Sequence, residues 1–250
     1  MSDGVELRIV GGGDAFGSGG RFNTCFVLDD DIGRFAIDFG ATSMVALQAQ
    51  TIEPASIDLI ILTHLHGDHY GGLPFLLLYR EYVASQTTPL TIAGPPGFAK
   101  RLAEITECMF PGNWKSDWRF TLNLIEIDVD AKSEICGRSI LSKSVTHYAG
   151  PEPSTAVRIE TSGKVLSFSG DTGWNDVLLD IAKGSDIFIC DCFDRFDQPY
   201  DGHLSYQTLL TKIEQLETKR LVLNHLGPQM ISDLENIEIE LANDGTTIKI

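Results

Sequence analysis

Apolar residues fall along this chain in short runs, most with the two-residue alternation or unbroken hydrophobicity of β-strands rather than the helical three-to-four spacing. The pattern predicts strands over residues 5–10, 22–28 and 34–38, the last two joined as a hairpin across Asp29-Asp30-Asp31-Ile32-Gly33. Residues 58–62 form a continuous apolar run, the mark of a strand buried on both faces. Helical spacing is read over residues 43–50, 72–85 and 96–108. The pattern then repeats, with strands at 119–127, 139–145, 156–160 and 164–169, a helix at 175–182 and a strand at 186–191. A helix at 205–216 and strands at 220–223, 238–241 and 246–250 complete it. Strand-rich then helical segments, twice over and without a Pro-rich linker or repeat, predict a single α/β domain spanning residues 1–250. Two mixed β-sheets would pack face to face with helices outside.

Composition narrows the classes. The 250 residues are 43 % hydrophobic, enough for a sizeable core. The opening Met-Ser-Asp-Gly-Val-Glu-Leu lacks the basic and apolar regions of a signal peptide, and no apolar run approaches the roughly 18 residues of a membrane span, so a cytoplasmic protein is expected. The net charge of −16, from 35 acidic and 19 basic residues, argues against a large nucleic-acid partner, because such footprints need Lys and Arg to neutralise phosphates. A small-molecule substrate fits better, and a homodimer is compatible with the sequence. The five cysteines, Cys25, Cys108, Cys136, Cys190 and Cys192, are odd in number and contain no CxxC, so they read as inert thiols rather than a disulfide framework.

Candidate chemistry centres on Thr63-His64-Leu65-His66-Gly67-Asp68-His69. His64 and His66 lie two apart, so an extended backbone projects both to one side. Gly67 permits a tight turn, and Asp68 and His69 follow at the start of a helix. Imidazoles beside a carboxylate suit Zn, Mn or Fe, whereas Ca and Mg prefer oxygen donors alone. Three of the six histidines sit in this motif; His147, His203 and His225 lie at or near predicted strand ends. Asp171, in Ser169-Gly170-Asp171-Thr172-Gly173, also follows a strand, and strand ends are where α/β sheets place their sites. Residues 11–20 form a glycine-rich loop, neither a P-loop nor a dinucleotide fingerprint, since no G-K-[ST] follows and it leads into a strand. Two readings stay open for it: a turn, or a cradle whose backbone N–H groups and Arg21 approach a substrate phosphate, with Asn23 and Thr24 as further substrate-binding candidates.

The histidine motif, the later single His147, the Ser169-Gly170-Asp171-Thr172 segment and the closing Leu221-Val222-Leu223-Asn224-His225 together resemble the metallo-β-lactamase superfamily, in an order that runs from Val5 to His225. The resemblance implies an αββα sandwich and two divalent transition-metal ions, zinc first, with manganese or iron as alternatives. It implies that His64, His66 and His147 hold one ion and Asp68, His69 and His225 the other, with Asp171 bridging and Asp38 supporting the histidine loop from behind. Gly202-His203-Leu204-Ser205 and the opening Gly13-Asp14-Ala15-Phe16-Gly17-Ser18-Gly19-Gly20-Arg21-Phe22-Asn23-Thr24 are similar to the ribonuclease Z and phosphodiesterase-like branch. In that branch a metal-bound hydroxide oriented by Asp68 attacks phosphorus and His203 protonates the leaving group. This chain lacks the inserted basic arm that grips tRNA. The expectation is therefore a phosphodiesterase acting on a small phosphodiester or cyclic phosphate. The alternatives are a carboxyl-ester, lactone or thioester hydrolase on the same centre, a metal-binding protein without catalysis, or a mononuclear-iron redox enzyme.

Overall fold

A computed structural model describes residues 4–84, 87–114 and 117–250. Strands β1 (Glu6–Gly11), β2 (Cys25–Asp29) and β3 (Arg34–Ile37) form an antiparallel meander. Strands β4 (Leu59–Ile61), β5 (Leu90–Gly94) and β6 (Leu122–Glu126) extend it in parallel from β3. The second sheet holds β7 (Lys132–Ile135), β8 (Arg138–Ser144), β9 (Thr155–Thr161), β10 (Lys164–Phe168), β11 (Ile187–Asp191), β12 (Leu221–Asn224) and β13 (Glu240–Leu241), in spatial order 13-12-11-10-9-8-7. The chain then returns as β14 (Thr247–Lys249) to pair antiparallel with β1, so each sheet has seven strands.

Alternation explains why the sheets face one another. In β2, Phe26 and Leu28 join the core between the sheets, whereas Cys25 and Val27 join the core under the helices. In β4, Leu59 and Ile61 point one way and Ile60 the other, so the continuous apolar run is buried on both faces. Phe26 meets Phe168 of the opposite sheet with ring centroids 5.5 Å apart. Helices α1 (Ser43–Ala49), α2 (Gly67–Tyr70), α3 (Leu73–Tyr82) and α4 (Phe98–Met109) accompany the first sheet, and α5 (Val177–Ala182), α6 (Tyr206–Lys212) and α7 (Pro228–Ile231) the second.

The architecture is the predicted sandwich, with local differences. Strands β5 and β7 were not predicted. β5 is a five-residue apolar stretch between Pro89 and the Pro95-Pro96 pair, and β7 is a polar edge strand closed by the turn Cys136-Gly137, both at positive φ. The helix predicted at 72–85 spans Leu73–Tyr82, and its last predicted residue, Ser85, lies outside the described residues. Residues 22–24 precede β2 rather than belonging to it, and the strand predicted at 238–241 shortens to Glu240–Leu241. Cys25, Cys190 and Cys192 are buried free thiols, while Cys108 and Cys136 are exposed. Among the described residues no helix is long and apolar enough to cross a membrane.

Strand direction places the site. β10, β11 and β12 run parallel, and β8 shares their direction because β9 reverses between it and β10. Their C-terminal ends, with those of the parallel pair β3 and β4, deliver Asp38, His64, His147, Asp171 and His225 to one edge of the sandwich.

Candidate metal centre

The histidine loop leaves β4 and is clamped from behind by the loop after β3. Asp38 accepts hydrogen bonds from the Thr63 N–H at Oδ1 (2.8 Å) and from the Thr63 hydroxyl at Oδ2 (2.8 Å), and its Oδ2 lies 2.7 Å from His69 Nδ1. Phe39 and Ala41 donate their N–H groups to the carbonyls of His69 and Gly67. Gly40 lies so close that an added Cβ would stand 2.1 Å from the Asp68 carbonyl oxygen, so only glycine permits this approach. Asp38 (φ 55°) and His225 (φ 60°) occupy the left-handed region that non-glycine residues rarely adopt, a strain that packing maintains at functional sites.

All seven predicted ligand side chains converge in two overlapping groups. His64, His66, His147 and Asp171 form one, and Asp68, His69, Asp171 and His225 the other; within each, one ligand-type atom per residue lies within 4.8 Å of the rest. Asp171 Oδ2 is the shared centre, with the Nε2 atoms of His69 and His225 each at 3.2 Å, His64 at 3.6 Å and His147 at 3.9 Å. The His147 Nδ1–H donates to the Gly202 carbonyl (2.7 Å), which turns Nε2 inward to 3.0 Å from His66 Nδ1. Asp68 Oδ2 faces His225 Nε2 at 3.1 Å and His69 Nε2 at 3.4 Å.

Donor chemistry and burial fit metal ions. Among the described residues the buried His64 Nε2 makes no hydrogen bond and meets the Asp171 carboxylate at 3.6 Å, as His69 Nε2 does at 3.2 Å; a buried imidazole nitrogen left this way suits a cation. Burial pushes His64 well below the ordinary imidazole range, assisted by repulsion from His69, so it stands neutral and able to ligate. Burial opposes ionisation of Asp171, but His225, His69 and His64 outweigh it and hold the carboxyl well below its usual range. Burial likewise opposes charge on His69, yet Asp171, Asp68 and Asp38 raise it well above the usual value. A metal ion binding there competes with that proton.

Beside this cluster stands a second pair. His203 Nδ1 lies 2.9 Å from Asp191 Oδ2, and the same oxygen accepts the Thr172 N–H, while Asp191 Oδ1 accepts that of Phe193. The His203 ring stacks on His225 (5.2 Å, 13°) and also meets His147 and Phe193. Burial works against a charged His203, but the Asp191 charge and hydrogen bond overcome it and raise the imidazole to about 9. Asp191 is the site residue with the weakest sequence signal. Its only signal was an acid ending an otherwise apolar strand, Ile187-Phe188-Ile189-Cys190-Asp191.

The model of the Anti-Pycsar protein Apyc1 family matches residues 5–248. The chain belongs to this family. The Mycobacterium tuberculosis protein Rv1339 is 31 % identical over 204 residues, covering 77 % of this chain and 69 % of its own. Ribonuclease BN of Escherichia coli O157:H7 is 24 % identical over 279 residues, covering 87 % and 90 %. Zn(2+)-bound PqqB from Methylobacterium extorquens superposes with a TM-score of 0.77 at 18 % identity, covering 98 % of this chain and 100 % of that one. Human tRNase Z, short form, gives 0.75 at 22 % identity, covering 97 % and 98 %. A diphosphatase of the PhnP family gives 0.75 at 17 % identity, covering 98 % of each chain. The fold is that of metallo-β-lactamase fold proteins.

In the glycine-rich loop the bonds observed are those of the turn reading. The Arg21 guanidinium donates to the Ala242 carbonyl (2.7 Å) and to Asn243 Oδ1 (2.8 Å), so it ties the loop to the chain's last segment. Asn23 is buried and donates to the Asp14 carbonyl while its Oδ1 accepts the Thr42 N–H. Thr24 is also buried, its hydroxyl 3.4 Å from the Gly13 carbonyl. Asp14 accepts the N–H groups of Phe16 and Ser18, and Asp244 those of Gly12 and Phe22. These bonds explain the loop as a built turn, whose Gly12 carbonyl accepts the His225 N–H and so helps to seat that histidine.

Proposed function

We propose that this metal-dependent hydrolase is a phosphodiesterase acting on a small phosphodiester or cyclic phosphate. His64, His66 and His147 would hold one divalent transition-metal ion and Asp68, His69 and His225 a second, with Asp171 between them. The observation that carries the reading is the Asp191–His203 pair beside the cluster. A metal pair supplies Lewis acidity for the phosphoryl oxygens and lowers the pKa of water. The chain's own residues do the rest. Asp68 engages His225 and His69 through Oδ2, which leaves Oδ1 to orient the attacking water and accept its proton. Asp191 holds His203 by Nδ1, fixes its orientation and keeps it protonated, leaving Nε2 to donate to the departing oxygen. An alkoxide needs that proton far more than the leaving group of an activated ester does. A ribonuclease, a tRNase and a diphosphatase among the similar proteins support phosphorus chemistry. The net charge of −16 favours a small substrate over a nucleic-acid chain.

His203→Ala tests the reading. Metal content should be retained, and kcat on a diester with an alkoxide leaving group should fall by about 10²–10⁴-fold. A nitrophenyl diester should lose much less. Equal losses on both would make His203 a structural residue; no loss on either, with turnover of lactones or thioesters instead, would overturn the phosphodiesterase reading.

A further inference from the structure

Two of the proposed metal ligands turn their outer ring nitrogens towards one carboxylate, the first directly and the second through a hydroxyl. His69 Nδ1 lies 2.7 Å from Asp38 Oδ2. The Thr63 hydroxyl lies 2.8 Å from that same oxygen and 3.0 Å from His64 Nδ1. All four residues are buried, so bulk solvent does not compete for these bonds.

Donor counting sets their direction. A carboxylate only accepts, and a hydroxyl has a single proton to give. The Thr63 hydroxyl directs that proton to Asp38 Oδ2, so towards His64 it can act only as an acceptor, and the His64 Nδ1–H donates to it. The His64 ring then presents Nε2 as a lone pair in the group formed with His66, His147 and Asp171. His69, donating its Nδ1–H to the same Asp38 oxygen, belongs to the group formed with Asp68, Asp171 and His225. Thr63 itself is pinned between the sheets. Its N–H donates to Asp38 Oδ1, and its carbonyl accepts both the N–H (3.0 Å) and the hydroxyl (2.8 Å) of Thr155. His147 stands apart from this arrangement, because its Nδ1–H goes to the Gly202 carbonyl.

We infer that Thr63 is a positioning residue that presets the tautomer of His64, so that Asp38 governs one ligand in each of the two ion-binding groups. The inference rests on the metal assignment proposed above and is independent of the substrate. Without the hydroxyl, the His64 Nδ1–H would be buried with no acceptor, which favours the other tautomer. The proton would then sit on Nε2, 3.6 Å from Asp171 Oδ2, at the atom that has to meet the ion.

Thr63→Val keeps the branched shape and removes the hydroxyl, whereas Thr63→Ser keeps the hydroxyl. Long-range ¹H–¹⁵N NMR of the metal-free protein reads which His64 nitrogen bears the proton. It should be Nδ1 in the wild type and in Thr63→Ser, and Nε2 in Thr63→Val. Competition against a chelator should show one Zn²⁺ held about 10–100-fold more weakly in Thr63→Val and the other unaltered, with wild-type affinities in Thr63→Ser. Asp38→Asn should weaken both. A wild-type His64 protonated on Nε2 overturns the inference. So does a Thr63→Val protein that keeps the Nδ1 proton or both affinities, or a loss that Thr63→Ser does not restore. Each of these results leaves two ions bound to the wild type. Failure of the wild type to bind Zn²⁺ is a different result, which removes the metal assignment and the inference with it.

Discussion

Asp38→Asn replaces one oxygen by an NH₂ group of nearly the same shape, so it removes the charge and one acceptor of a buried residue behind the histidine loop while keeping its size. Asp38 is 1 % exposed and accepts three donors, the Thr63 N–H, the Thr63 hydroxyl and His69 Nδ1. If the asparagine oxygen stays on the Thr63 N–H, the amide NH₂ faces His69 Nδ1. His69 must then accept there and carry its proton on Nε2, the atom 3.2 Å from Asp171 Oδ2 that would face a metal ion in the proposed centre. If the amide turns round, two buried donors face each other at Thr63, at about 1–3 kcal/mol. Either way the histidine loop loses its preset tautomer or its anchor. Loss of such an outer partner typically weakens metal binding by about 10–100-fold, or about 1.4–2.8 kcal/mol. The assay is competition for Zn²⁺ against a chelator of known affinity, alongside urea unfolding of the metal-free protein to show that the fold survives. Wild-type metal affinity in a folded Asn variant would refute the reasoning.

Three further perturbations separate the centre from its scaffold. Asp171→Ala removes the carboxylate shared by both groups, so elemental analysis should show both ions and activity lost together; retention of two ions would reduce Asp171 to a turn residue. Gly173→Ala forces a methyl against the Asp201 carbonyl, so residues 201–203 must shift, and kcat should fall at least about tenfold with only a small change in unfolding midpoint; unaltered kcat would show that the loop yields freely. Arg138→Met leaves Asp30 buried without the guanidinium that meets it at 2.8 Å through two nitrogens, and should destabilise the protein by about 3–5 kcal/mol, read from the denaturant midpoint. A shift below about 1 kcal/mol would mean that Thr161 and the turn amides of Ile32 and Gly33 suffice for Asp30.

How much was legible in the residues follows from range. Alternation in β2 and the unbroken apolar run of β4 are local properties, set by which faces are buried, so the sandwich could be read from them. The His64-to-His69 motif is local too, because a strand end followed by one tight turn brings four side chains together. The short, polar β7 and the Pro-bounded β5 carried no such pattern, since edge strands and brief buried ones lack the length for a period to show. Asp191 was hidden for another reason: an acid at a strand end is unremarkable until parallel pairing of β10, β11 and β12 sets it beside Thr172 and beneath His203. Arg21 shows the converse. Its sequence neighbourhood left a turn and a phosphate cradle both open, and its observed partners, Ala242 and Asn243, lie more than two hundred residues away, beside the segment that returns as β14 to the edge of the first sheet. The sequence by itself determined which side chains are of a type to ligate metal and the strand pattern that would present them. Only the tertiary structure decided which carboxylate meets His203 and which partners Arg21 takes, because those depend on pairings between segments far apart in the chain.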